Sequence, residues 1–99
     1  MSEPVNFHIL LMQLHISLPE SHSLKEKRKV VKSLKDRLKA KWNISIAEIG
    51  HHDKWQSALI GLTSIANDQK FLNSMADHIK HFVESSFPIA QIDWSVEYL

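Results

Sequence analysis

Residues 23–42 read SLKEKRKVVKSLKDRLKAKW, and how this stretch folds decides how the rest is arranged. Ser23 suits an N-cap, and Glu26, three residues on, completes a capping box. On a 3.6-residue wheel Leu24, Val30, Val31, Leu34 and Leu38 form one apolar arc of about 120°. Lys25, Arg28, Lys29, Lys32, Lys35 and Lys39 share a second arc of about the same width, roughly opposite. The spacing predicts a helix over 23–42 with one face for a core and one for solvent. Lys27 breaks the pattern. It points toward the apolar side in the first turn, where a lysine can lay its stem along the core and extend its ammonium outward.

Strand signals stand on both sides of this helix. Residues 5–17 alternate His8, Leu10, Met12, Leu14 and Ile16 with Phe7, Ile9, Leu11, Gln13 and His15. Both sets are largely apolar, as in a central strand. Residues 43–50 place Ile44 and Ile46 on one face and Ala47 and Ile49 on the other. Residues 56–66 set Ala58, Ile60 and Leu62 against Leu59 and Ile65. Between these two lies a loop over 50–55. Asn67 or Asp68 caps a second helix reaching to about Ser85, with Phe71, Leu72, Met75, Ile79, Phe82 and Val83 as its core stripe. A last strand over 89–98 alternates Ile92, Trp94, Val96 and Tyr98 with Gln91, Asp93, Ser95 and Glu97, so one face is buried and the other wet. The order is β-α-β-β-α-β across one domain, 1–99. Right-handed crossovers put both helices on one face of a four-stranded antiparallel sheet, a ferredoxin-like α+β plait. The other sheet face is open, with Ile9, Leu11, Leu59 and Ile65 in the middle and acids on the last strand.

The chain has 99 residues and a net charge of +1. That mild average conceals a segregation. Nine of the twelve basic residues fall between Lys25 and Lys41 against only Glu26 and Asp36, a local charge of +7. The remainder carries three basic and nine acidic residues, −6. Having no Cys excludes disulfides and thiol chemistry. Two Gly cannot build a dinucleotide fingerprint, and no Gly-rich phosphate loop occurs. No Lys or Arg precedes Lys25, so a signal-peptide start is missing. The longest stretch free of Asp, Glu, Lys and Arg, residues 4–19, falls short of the roughly 20 apolar residues that span a membrane. A cytoplasmic protein without a membrane partner is expected.

The cations at Lys25, Lys27, Arg28, Lys29, Lys32, Lys35 and Lys39 point to nucleic-acid phosphates. A charge run is also a common solvated helix face, but here two acids cannot neutralise nine cations. Trp55, in the turn Asp53-Lys54-Trp55-Gln56, either stacks on a base or anchors a partner, or else lids the end of the core. His51-His52-Asp53, and Asp77 with His78 and His81, lack the context of a metal motif and read as surface side chains. No metal or cofactor is expected. The sheet face lacks the aromatics on which RNA-recognition modules stack bases. Its aliphatic patch, Ile9, Leu11 and Leu59, suits pairing with a second copy. No nucleophile elbow, Ser/His/Asp arrangement or phosphate-cradling arginine loop is evident, so catalysis is not expected.

The segment Ser23-Leu24-Lys25-Glu26-Lys27-Arg28 resembles the YlxP-like family, small bacterial proteins of unknown function. The match continues at Ala47-Glu48 and at Asp53, Trp55 and Gln56, and runs from the first strand to the second helix. The resemblance implies a ferredoxin-like fold and no established activity, cofactor or substrate. Its gene neighbourhood, near ribosome-binding factor A, implies an association with ribosomes. His51-His52 departs from the pattern. The expectation is therefore a non-catalytic RNA-binding or ribosome-associated module, contacting structured RNA through the first helix, with Trp55 and Gln56 adding contacts. The alternative is a homodimer, paired through its open sheet, that docks an acidic protein.

Overall fold

Ser23 takes up the extended backbone of an N-cap, and its Oγ accepts from the Glu26 N–H at 3.1 Å. Glu26 returns the contact one residue further back, its Oε2 accepting from the His22 N–H at 2.6 Å. The helix so started, α1 (Leu24–Lys41), ends on Trp42, whose N–H reaches the Leu38 carbonyl at 2.9 Å. The computed structural model describes residues 5–87 and 91–99. Around α1 stand β1 (His8–Ser17), β2 (Ser45–Gly50), β3 (Ser57–Ala66), α2 (Gln69–Ser86) and β4 (Gln91–Tyr98). Asp68 is the N-cap of α2, its side chain accepting from the Lys70 N–H at 2.9 Å.

The four strands form one antiparallel sheet in the order β2-β3-β1-β4, the α+β plait expected of this element order. β1 is central, as its two-sided apolar pattern requires. Its even residues Leu10, Met12, Leu14 and Ile16 are buried beneath the helices. Ala58, Ile60 and Leu62 of β3, Ile46 of β2, Val31, Leu34 and Leu38 of α1, and Leu72, Met75, Ala76, Ile79 and Val83 of α2 complete the core.

Three expectations need correction. First, β1 begins at His8 rather than at residue 5, and Val5 and Phe7 lie exposed. Second, Phe71 is 56% exposed and does not belong to the core stripe. On the wheel it stands about 100° from the centre of Leu72, Met75, Ala76, Ile79 and Val83. Phe82 occupies the same margin but meets the end of α1, packing edge-on against Trp42 at 5.6 Å between centroids. Third, β2 is shorter than expected and bulged between Glu48 and Gly50. Ile49 keeps the open-face position that its alternation with Ile46 gives it, and there it covers Gly61; a Cβ on Gly61 would meet Ile49 Cδ1 at 3.1 Å. The expected start of the last strand, positions 89 and 90, lies outside the described residues. No helix among the described residues is long and apolar enough to cross a membrane.

Candidate nucleic-acid interface

Helical spacing sorts the cations of α1 by face, and each face treats them differently. Lys25, Arg28, Lys29, Lys32 and Lys39 are exposed, and Lys35 is half-buried. From Lys25 to Lys39 the ridge runs about 21 Å along the helix axis. Lys32 forms an ion pair with Asp36 at 2.6 Å, one turn on. The hydrogen bond from Lys32 holds the Asp36 carboxyl below its ordinary range, and Asp36 in turn raises the Lys32 ammonium. Glu26 is engaged at the helix start. The two acids of the segment therefore leave Lys25, Arg28, Lys29, Lys35 and Lys39 without an ion-pair partner among the described residues. Arg37 and Lys41, outside the ridge, lie over aromatic rings: Arg37 is 5.3 Å from the Phe82 centroid, and Lys41 is 4.4 Å from it.

Lys27 does not belong to this surface, which corrects its assignment as a phosphate contact. The residue is wholly buried. Its stem follows the core as its wheel position predicts, but the ammonium does not emerge. It donates to Glu48 Oε2 at 3.0 Å and to the His51 carbonyl at 2.7 Å, with the His52 and Ser57 carbonyls at 3.3 and 3.4 Å. Depth is set here by the β2–β3 hairpin, whose tip closes over the first turns of α1. A signal for this pair stood in the sequence. Glu48 continues the Ile44, Ile46 alternation, so it points to the same core side as Lys27.

The tip, residues 51–56, is fastened at several further points. Gln56 Nε2 donates to the Pro19 and Ser21 carbonyls, each at 3.3 Å. The Leu18 N–H donates to the Gln56 carbonyl at 2.9 Å, and the Lys54 N–H to that of His51 at 3.0 Å. Ser57 Oγ lies 2.7 Å from His51 Nδ1 and 2.9 Å from His15 Nε2, so its single proton serves one ring and its lone pairs the other. The two rings meet edge-on at 5.2 Å. His51 holds a left-handed backbone, φ 60°. Partial burial keeps its imidazole pKa below the ordinary 6.5, helped by the positive charges of Lys54, His15 and Lys27. Gln56 thus braces the loop. Trp55 does not lid the core; it stands 49% exposed at the tip.

His78 and His81 are exposed on α2, and His52 Nε2 bonds the Glu48 carbonyl at 3.1 Å. Among the described residues no three metal-ligating side chains gather at one point. On the open sheet face Ile9, Leu11 and Leu59 are half-buried, flanked by the more exposed Ile49 and Ile65. Asp93 of β4 stands opposite His15, and Glu97 opposite Leu11. The structure brings Trp55 and Gln56 near the start of the ridge but leaves Ile9, Leu11 and Leu59 on the sheet side opposite the helices.

The fold has a counterpart in the de novo designed protein Foldit4. The two match with a TM-score of 0.56 at 8% identity, over 93% of this chain and 97% of that one, a likeness of fold alone. In sequence the chain is 34% identical over 79 residues to the uncharacterized protein YlxP of Bacillus subtilis (strain 168), covering 76% of this chain and 86% of that protein. The model of the family described as protein of unknown function (DUF503) matches residues 9–96, nearly the whole plait, and the chain belongs to that family.

Proposed function

We propose that the protein is a non-catalytic, cytoplasmic RNA-binding module that grips the phosphates of structured RNA, free or within a ribosome, through α1. One observation carries this reading: Lys25, Arg28, Lys29 and Lys39 are exposed along one helix face without a carboxylate partner among the described residues. Such a row positions a polyanion electrostatically and reads little sequence. Four phosphate contacts on a duplex give a slope of about −3 to −4 in a plot of log affinity against log salt. A filter-binding titration of a structured RNA over a range of salt tests this. Lys25→Glu, Arg28→Glu and Lys29→Glu together are expected to abolish binding at low salt without harming the fold, since all three side chains are exposed. Binding that ignores both salt and the charge reversal refutes the proposal.

The exposed aliphatic side chains of the sheet support a second reading, a homodimer paired through this face that docks an acidic protein on α1. Ile49 and Ile65, respectively 50% and 63% exposed, extend the Ile9, Leu11, Leu59 patch. Light scattering at micromolar protein is expected to give twice the monomer mass, and Leu11→Asp or Leu59→Asp to return it to one. A native chain that scatters as a monomer refutes the dimer.

A further inference from the structure

Surface hairpin tips are ordinarily among the looser parts of a fold. The β2–β3 tip is clasped instead. Lys27 holds its His51 and His52 carbonyls from below, Gln56 ties its far end to the loop before α1, and Ser57 bridges His51 to His15 on β1. At the centre of these fastenings Trp55 stands half out in solvent. It borders an open recess of about 320 Å³ lined by Asp53, Lys54, Trp55, Gln56 and Ser57. An indole carried on a fastened loop has only two side-chain torsions to fix when a flat ligand covers it. Lys27 also fixes where this ring sits. The tip carbonyls that it binds are reached from the first turn of α1, so the tip sits beside the end of the helix at which the phosphate ridge begins.

Resting on the reading of α1 as a phosphate grip, we propose that Trp55 is a stacking platform for one unpaired base of an RNA whose adjoining phosphates lie along that ridge. The charges favour this occupant. Lys54 in the recess and Lys25 and Arg28 at the start of α1 attract the backbone, while Asp53 in the recess repels phosphate and leaves that space to the uncharged base. Stacking on an indole tolerates any base, in keeping with a module that reads shape more than sequence. The ligand is then an RNA helix bearing an unpaired nucleotide, in preference to a blunt duplex.

Two probes separate this from the parent reading: a blunt RNA duplex, and the same duplex with a short single-stranded overhang. The native chain is expected to bind the second more tightly. Trp55→Leu, a change at an exposed position, is expected to weaken overhang binding by about 5- to 150-fold, the range for one stacked base. It should leave the blunt duplex and both salt slopes unchanged, because no counterion is released by stacking. The native chain should also lose indole fluorescence on overhang binding that Trp55→Leu does not lose. Overhang affinity unmoved by Trp55→Leu, or equal losses on both probes, overturns the platform while the salt slope upholds the ridge. A native chain that binds neither probe overturns both. Trp55-dependent quenching by polyglutamate and by neither RNA assigns the indole to a protein partner and overturns it as well.

Discussion

Lys27→Ala is the sharpest test of how the hairpin tip is held. The native ammonium is wholly buried, with Glu48 Oε2 at 3.0 Å and the His51 carbonyl at 2.7 Å. Removing it leaves a carboxylate and up to three carbonyls facing a hole. Breaking a buried pair by deleting one partner costs about 3–5 kcal/mol. The Glu48 side chain is 16% exposed, so water partly relieves it, which puts the polar share at the lower end. Loss of the packed stem adds to this. A total of about 3–4 kcal/mol is a large part of the roughly 5–15 kcal/mol that holds a domain of this size. Urea unfolding followed by far-ultraviolet circular dichroism reads it directly. Lys27→Met keeps the stem and removes only the charge, so it is expected to lose about 2–3 kcal/mol, chiefly for the stranded acceptors. Lys27→Arg should not rescue, because the planar fork is larger than the ammonium and cannot converge on the same carbonyls. Faster hydrogen exchange at the Lys54 amide, which donates to the His51 carbonyl, should accompany the loss. A Lys27→Met protein as stable as the native chain refutes the reasoning, since it would mean that the ammonium is not needed to satisfy the tip.

Acid should loosen the same region. The folded His51 ring resists protonation, so the unfolded chain takes up a proton first, near pH 6.5. The contribution is complete above that value and is lost as pH falls from it through the lower folded pKa. His51→Asn, whose side chain tolerates the left-handed backbone and does not titrate, should flatten this part of a stability–pH curve measured in urea. Ser23→Ala removes the acceptor of the Glu26 N–H and is expected to cost about 1 kcal/mol in the same assay. Asp36→Asn breaks only an exposed pair and should shift stability by less than about 0.5 kcal/mol.

Features decided within a few residues were legible in the sequence. The cap at Ser23, a cap at Asn67 or Asp68, the end of α1 at Trp42 and the apolar stripe of β1 depend on neighbours up to four places away; the structure settles the second cap as Asp68. Depth and direction at the tip were not legible. A helical wheel gives Lys27 an azimuth but not an end point; whether its ammonium reaches water depends on carbonyls 24 to 30 residues further along the chain. The same holds for Trp55, which a position just before a strand permits to fold inward. The fastening of the loop on both sides turns it out. The bulge between Glu48 and Gly50 is a register event that periodicity does not record, although Ile49 keeps the open-face position its alternation gave it. Phe71 lay on the margin of its stripe and stays 56% exposed, whereas Phe82 at nearly the same azimuth found Trp42.

Like charges one turn apart do not demand a ligand by themselves, and the structure shows why. Lys25–Lys29, Arg28–Lys32 and Lys35–Lys39 each cost only about 0.2–0.5 kcal/mol in water, less with salt. Asp36 offsets part of one of them, the Ser23 cap returns about as much as two, and Val31, Leu34 and Leu38 anchor the helix independently. The ridge is therefore tolerated without strain, and its stability cost says nothing about function. The division of labour among the cations does. Lys27 goes into the core, Arg37 and Lys41 onto aromatic rings and Lys32 onto Asp36, each with a local reason to be basic. Lys25, Arg28, Lys29 and Lys39 have none within the described fold; Lys35 also lacks an ion-pair partner there but is half-buried. The case for phosphate rests on these four positions and their alignment, not on the +7 of the whole segment.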